Sequence, residues 1–316
     1  MNLKIYIHFL FFLLISPIKI FQKQKKIINI SFAIDNKYTN TLLVPLVSLL
    51  KNSDFNSIYH IYILVGETFN EKNSKLLYNL EKVYFNCFIH IINLGKDFQD
   101  SYKKKFIDTS TYYRLKLPHI CIDINRIIYI DADTVILHDL IELYTLNFEN
   151  KYILGKLDKY GNELDKLNIN IKNYINCGVL LMDLYNLRKY GYVDKFKDYI
   201  KMNNNKEYLK SQDQTVINYI CHDKIGILKP KYHMWPYKSI EKCLEDNKKL
   251  RIPYNEIDIN EGFYNPFIIH FPGEFKFRKT FINDLFYKDL YEYTILSVKI
   301  RIKLEKMKEI IFFRAF

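Results

Sequence analysis

Short apolar runs that alternate with amphipathic stretches, each run closing on polar residues, constrain this chain more than any other feature. Residues 27–34 (IINISFAI) form a strand-length apolar run, and residues 41–51 repeat their apolar positions at helical spacing. Residues 59–65 (YHIYILV) are a second strand, 70–84 a second helix and 88–94 (FIHIINL) a third strand. Strands and helices in this order, joined by short connections, predict an α/β fold with a mostly parallel sheet flanked by helices. In such sheets ligands bind beyond the carboxyl ends of the strands. The residues that follow each apolar run are therefore where chemistry is expected.

Polar groups recur at those positions. Asp35, Asn36 and Tyr38 follow Ala33, Asp131-Ala132-Asp133 follows RIIYI at 126–130, and Asp158 follows the run at 152–157. Asn176-Cys177-Gly178 precedes the apolar residues 179–182, and FII at 267–269 ends at His270. In extended backbone residues two apart point to one side, so Asp131 and Asp133 can face the same divalent cation. A D-x-D arises by chance about once in a chain of this size, and the strand-end context is what singles this one out. Ordinary structural readings stand beside each position. Asp35-Asn36 makes a plain turn, Asn176 caps a turn, Arg114 forms a surface ion pair, and His270 is a structural histidine. Ser211 and Gln214 fit a capping box, with Asp213 favourable at the helix N-terminus.

Composition narrows the function classes. With 316 residues and 49% hydrophobic residues the chain can bury a sizeable core, and without an internal repeat it reads as one catalytic-size domain. The net charge of +12 allows nucleic acid, an anionic membrane surface or phosphorylated substrates. Its aromatics lie within apolar runs, and neither a base-reading basic helix nor an RNP-type strand occurs, so nucleic acid is not expected. Five scattered cysteines without a C-x-x-C pair fit a reducing compartment better than a disulfide scaffold or a zinc site. No G-x-G-x-x-G, Walker A, H-E-x-x-H or G-x-S-x-G is present, which removes the entry points for dehydrogenase, P-loop, zincin and α/β-hydrolase readings.

Both ends differ from the middle. The apolar run at residues 5–15 is shorter than the roughly 20 residues that span a bilayer, and lysines at 19, 23, 25 and 26 follow it. A membrane anchor with the body on the cytoplasmic side and a peripheral segment are both open readings. Residues 298–316 carry six Lys/Arg against two Glu, with apolar residues at helical spacing, as in a basic amphipathic helix suited to an anionic bilayer surface. A terminal helix packed on the domain fits equally. The expected division is a hydrophobic N-terminal segment at 1–22, a catalytic domain at 27–280 and a basic tail at 281–316.

Six segments, in order, resemble glycosyltransferase family 8, the retaining sugar transferases that include bacterial lipopolysaccharide galactosyl- and glucosyltransferases and, more distantly, glycogenin. They are FAIDNKY at 32–38, TYYRL at 111–115, RIIYIDADTVI at 126–136, NCGVLLM at 176–182, QDQ at 212–214 and HFPGEFK at 270–276. Phe277-Arg278 departs from the Pro-Trp that usually follows the last segment's lysine.

The resemblance implies a GT-A fold and transfer of galactose or glucose from a UDP-sugar to a hydroxyl of a glycan or glycolipid acceptor. It implies a metal site of Asp131, Asp133 and His270, for which Mn²⁺ suits the mixed oxygen and imidazole set and Mg²⁺ is the second candidate. By the same resemblance Ala33, Asp35, Asn36, Tyr38, Asp131, Ala132, Gly273 and Lys276 hold the nucleotide, with Tyr38 stacked on the base. Arg114, Asp158, Asn176, Asp213 and Gln214 grip the sugar, and Gln214, Asp213 and Asp158 are the implied catalytic residues. Gln214 is a poor nucleophile, which favours attack on the leaving-group face over a covalent intermediate. Self-glucosylation of the glycogenin kind and a catalytically silent membrane-surface scaffold are the alternatives.

Overall fold

In the computed structural model, residues 24–103, 108–159, 171, 173–204, 209–250 and 252–272 are described. Seven strands form the main sheet, in the order β3-β2-β1-β4-β7-β6-β8. They are β1 (Lys26–Ala33), β2 (Ser57–Val65), β3 (Cys87–Asn93), β4 (Arg126–Ile130), β6 (Ile153–Leu157), β7 (Ile175–Asp183) and β8 (Ile225–Ile227). A separate two-stranded ribbon pairs β5 (Thr134–Ile136) with β9 (Ile268–His270). The longer helices are α1 (Thr39–Lys51), α2 (Glu71–Val83), α3 (Tyr192–Met202), α4 (Asp213–Ile220), α5 (Ile240–Asn247) and α6 (Glu256–Tyr264).

The sheet is mostly parallel. β1 pairs in parallel with β2 and β4, β2 with β3, and β6 with β8, while β7 runs antiparallel to both β4 and β6. Ile28, Ile30 and Phe32 on one face of β1 and Asn29 and Ser31 on the other are all buried, as expected for a central strand covered on both faces. From one side, β1 packs with β2, Leu42, Leu46 and Leu49 of α1, and Leu77 and Leu80 of α2. From the other, Tyr129, Leu180 and Met182 pack with Phe196 of α3 and Val216 and Ile217 of α4.

Two features of this topology position the site. The chain runs outward from β1 through β2 to β3 and then returns to place β4 on the opposite side of β1. That reversal is a topological switch point, where the loops after β1 and β4 diverge and leave a crevice. The antiparallel β7 begins at the edge where its neighbours end. Its first residues therefore lie beside the residues that follow β4 and β6, and Asn176-Cys177-Gly178 is part of the strand rather than its approach. Among the described residues no helix is long and apolar enough to cross a membrane. The expected N-terminal segment, the basic tail, Gly273 and Lys276 fall outside the described residues.

Candidate active site at the sheet edge

The loop after β1 is tied to the loop after β2. Asp35 Oδ1 accepts from the backbone N–H groups of Lys37 (2.8 Å) and Tyr38 (3.0 Å), which makes the turn that its sequence suggested. Asn36 goes further. Its Oδ1 accepts from Asn70 N–H (3.0 Å) and Asn73 Nδ2 (2.9 Å), and its Nδ2 donates to the Thr68 carbonyl (2.7 Å). Between these loops opens a cleft of about 160 Å³, whose walls include Asp35, Asn36, Glu67, Thr68, Asp108 and Tyr113. Ala33 ends β1 below it, and Tyr38 is half-buried against the core.

Residues far apart in sequence meet one strand further along. Asp131, Asp133 and His270 each offer a ligand atom, and all three atoms lie within 4.8 Å of one another. His270 Nε2 stands 3.2 Å from Asp133 Oδ1 and 3.7 Å from Asp131 Oδ2. The β5–β9 ribbon explains the meeting: its register sets His270 opposite Thr134, directly after Asp133, and Phe271 N–H donates to the Asp133 carbonyl at 2.9 Å. Gly178 supplies the space. A Cβ at this position would lie 2.1 Å from His270 Cε1, so only glycine lets the strand pass under the imidazole. The other ring nitrogen, Nδ1, is 2.8 Å from Nε2 of the buried His233. Burial, reinforced by His270 and Lys156, lowers the His233 pKa well below its ordinary value and keeps this second imidazole neutral.

Behind Asp131 lies a buried ionic cluster. Arg114 is only 2% exposed; its Nη2 donates to Asp131 Oδ1 (2.8 Å) and its Nε is 3.1 Å from Asp213 Oδ2. It also donates to the carbonyls of Thr111 and Cys177 and lies 3.9 Å over the Tyr129 ring, while Tyr129 O–H donates to Asp131 at 3.0 Å. Burial works against the guanidinium's charge, but Asp131 and Asp213 outweigh it and hold Arg114 charged. Burial pushes the Asp213 carboxyl up to about 6, against the pull of Arg114. The surface ion pair that the sequence allowed for Arg114 is thus a buried bridge, because the TYYRL segment forms a 3₁₀ turn pressed against β4 and β7.

A second cluster gathers Asp158, Asn176 and Gln214. Asp158 Oδ2 accepts from Asn176 Nδ2 (2.8 Å) and Gln214 Nε2 (3.3 Å), and Gln214 Oε1 accepts from Cys177 N–H (3.2 Å). Asn176 Oδ1 in turn accepts from Gly178 N–H at 2.9 Å. Gln214 therefore turns away from the capping role that Ser211 and Gln214 suggested. The helix α4 starts instead from Gln212, whose φ of 49° is a left-handed conformation that costs a non-glycine residue about 1–3 kcal/mol. That bend aims Asp213 at Arg114 and Gln214 at Asp158. Cys177 joins the two clusters, since its carbonyl takes Arg114 and its N–H gives to Gln214.

The family model of glycosyl transferase family 8 matches residues 29–277. The chain belongs to this family. A Haemophilus influenzae protein assigned to the glycosyltransferases is 29% identical over 215 residues, 66% of this chain and 63% of that protein. The lipopolysaccharide 1,2-glucosyltransferase of Escherichia coli is 24% identical over 225 residues, 69% of this chain and 65% of the enzyme. The chain thus spans just under two thirds of the length of both relatives. Among solved structures, the galactosyltransferase LgtC in complex with donor and acceptor sugar analogues superposes with a TM-score of 0.69, covering 84% of this chain and 96% of that one at 20% identity. At that identity the likeness establishes the shared GT-A fold.

For this family 8 protein, sequence reasoning missed Tyr129, Tyr174 and His233 at the site, and Glu67, Thr68 and Asp108 in the cleft. Glu67 and Thr68 follow β2 and were open to the same strand-end rule that found Asp35. Tyr174 O–H lies 3.3 Å from Gln214 Nε2, and nothing in its sequence context marks it. His233 carries no motif and is visible only once the fold sets it against His270.

Proposed function

We propose that this protein is a metal-dependent, retaining hexosyltransferase that moves galactose or glucose from a UDP-sugar to a hydroxyl of a lipopolysaccharide, glycolipid or other glycan. The convergence of Asp131, Asp133 and His270 carries the reading. Two carboxylates and one imidazole nitrogen within 4.8 Å are a donor set that fits one divalent cation, Mn²⁺ before Mg²⁺. The contact with His233 supports the fit: a neutral His270 that keeps Nε2 free for a metal carries its proton on Nδ1 and donates it to His233. A bound divalent cation would neutralise the charge that builds on the UDP diphosphate as the sugar–phosphate bond breaks.

The chain's own residues do the rest. The cleft between the loops after β1 and β2, with Asp35 and Asn36 in its wall, takes the uridine, on which Tyr38 stacks, and Gly273 and Lys276, outside the described residues, are assigned to the phosphates from the family resemblance alone. Arg114 and Asp213 orient the sugar hydroxyls next to Asp131, while Asp158 and Asn176 hold the opposite side. Gln214 sits at the reacting face as a neutral amide, anchored by Cys177 N–H and Asp158, so it orients the sugar without attacking it. The acceptor hydroxyl then attacks from the leaving-group side and passes its proton to the departing phosphate. The enzyme works at the cytoplasmic face of a membrane, reached through the apolar N-terminal segment or the basic tail. The E. coli relative's action on lipopolysaccharide supports an acceptor of this class.

Release of UDP by the purified full-length protein, followed with UDP-galactose and UDP-glucose, tests the reading. Mn²⁺-dependent release that disappears with chelator and in His270→Ala is expected. If neither donor, nor any related UDP-sugar, gives UDP above the His270→Ala background, the scaffold reading replaces this one.

A further inference from the structure

Lys156 is an oddity that the transfer reaction, as derived above, does not use. It lies within β6, 6% exposed, and its ammonium forms no hydrogen bond or ion pair among the described residues. What it faces is the ring of Trp235, 4.4 Å from the centroid, with Lys159 at 5.9 Å from the same ring. The Trp235 indole N–H is itself buried, without an acceptor among the described residues. Both groups line a narrow cleft with Tyr237, Asp246 and Tyr254, and its free volume of about 20 Å³ admits the tip of a polar group and no sugar ring. Asp246 is the carboxylate in this lining, but it is engaged by Lys242 (3.3 Å) and Lys249 (2.9 Å). Burial lowers the Lys156 ammonium to about 8, so it remains largely charged near neutral pH.

A lysine whose side chain is largely buried is costly to keep without a hydrogen-bonded partner, even where Asp158 and Asp246 favour its charge, and a buried donor without an acceptor adds to the cost. Here the two donors belong to side chains that line one cleft and have no hydrogen-bond partner among the described residues, and an oxyanion is one kind of group that would satisfy both. The position tells which substrate brings it. Along the sheet edge the nucleotide cleft lies at β1 and β2, the Asp131–Asp133–His270 cluster at β4, and Lys156 beyond β7 on β6. Lys156 lies two residues before Asp158, and Trp235 follows His233 by two. The cleft is therefore across the reaction centre from the nucleotide, where the acceptor must approach.

We propose that the Lys156–Trp235 cleft binds a carboxylate or phosphate group of the acceptor, so that the enzyme selects acidic acceptor sugars over neutral ones. The inference rests on the transferase reading. It is tested with the full-length protein in Mn²⁺ and UDP, by NMR titration with methyl glucuronide, glucose 6-phosphate and methyl glucoside. A charge-assisted pair of hydrogen bonds predicts that at least one acidic ligand binds about tenfold more tightly than the neutral one. The two acidic arms distinguish a carboxylate from a phosphate source. Lys156→Met, which keeps the side chain's volume and removes its charge, should bring the ratio to near one. Should that variant fail to fold, Trp235→Phe keeps the ring, removes the N–H and should lower the ratio. Equal binding of all three ligands by the wild type overturns the proposal, and so does a preference that survives Lys156→Met. UDP-sugar hydrolysis by the same protein preparation, with the donor in place of UDP, separates the two readings: turnover without acid preference sinks this inference alone, whereas no turnover sinks the transferase itself.

Discussion

Asp133→Asn is expected to lower sugar transfer by about 10²–10³-fold, the cost of removing one preorganised group at a centre where charge develops. The substitution keeps the shape of the side chain and its contact with His270 but takes a negative charge out of the donor set. Its folding effect should be small. The Asp133 side chain is 15% exposed and, among the described residues, its charged-group contact is with His270, which asparagine can still hydrogen-bond, so the thermal midpoint should stay near that of the wild type. The check is the transfer rate at saturating donor, taken with a melting curve. A rate within a few-fold of wild type in a fully folded variant would contradict the assignment of Asp133.

Arg114→Met should act in the opposite way, on stability before chemistry. Arg114 is buried against two carboxylates, and methionine fills its volume while leaving Asp131 and Asp213 facing each other without a counter-charge. Breaking a buried pair from one side costs about 3–5 kcal/mol. For a domain of this size that lowers the thermal midpoint by roughly 10 °C. Adding Asp213→Asn removes one of the stranded charges and should recover part of the loss, since residues in direct contact are not additive. A single variant that melts with the wild type, or a double variant that shows simple addition, would contradict the buried bridge.

These two residues also show how far the sequence carried the reading. Asp133 was legible because it combines a strand-end position with D-x-D spacing, both local signals. The parallel β-α alternation was legible for the same reason, since each apolar run states its own period. The first three strands and two long helices fall within two residues of the bounds read from periodicity. Arg114 was legible as a family position but not as a buried bridge, because its burial depends on Tyr129 and Cys177, which only the sheet brings to it. The direction of β7 was likewise hidden. An apolar strand reads the same in either orientation, and only the pairing with β4 shows that Asn176 to Gly178 lie at the site edge. His233 and Lys156 were missed because a buried polar residue leaves no periodic mark, and its meaning comes from partners distant in sequence.

Binding of Mn²⁺ to the full-length protein in the presence of UDP, followed by electron paramagnetic resonance, tests the core of the account without requiring an acceptor. One tightly held Mn²⁺ per chain is expected, weakened in both His270→Ala and Asp133→Asn by more than the roughly 10–100-fold that outer-shell changes cost. Folded variants that bind Mn²⁺ as tightly as the wild type would show that these side chains do not share an ion.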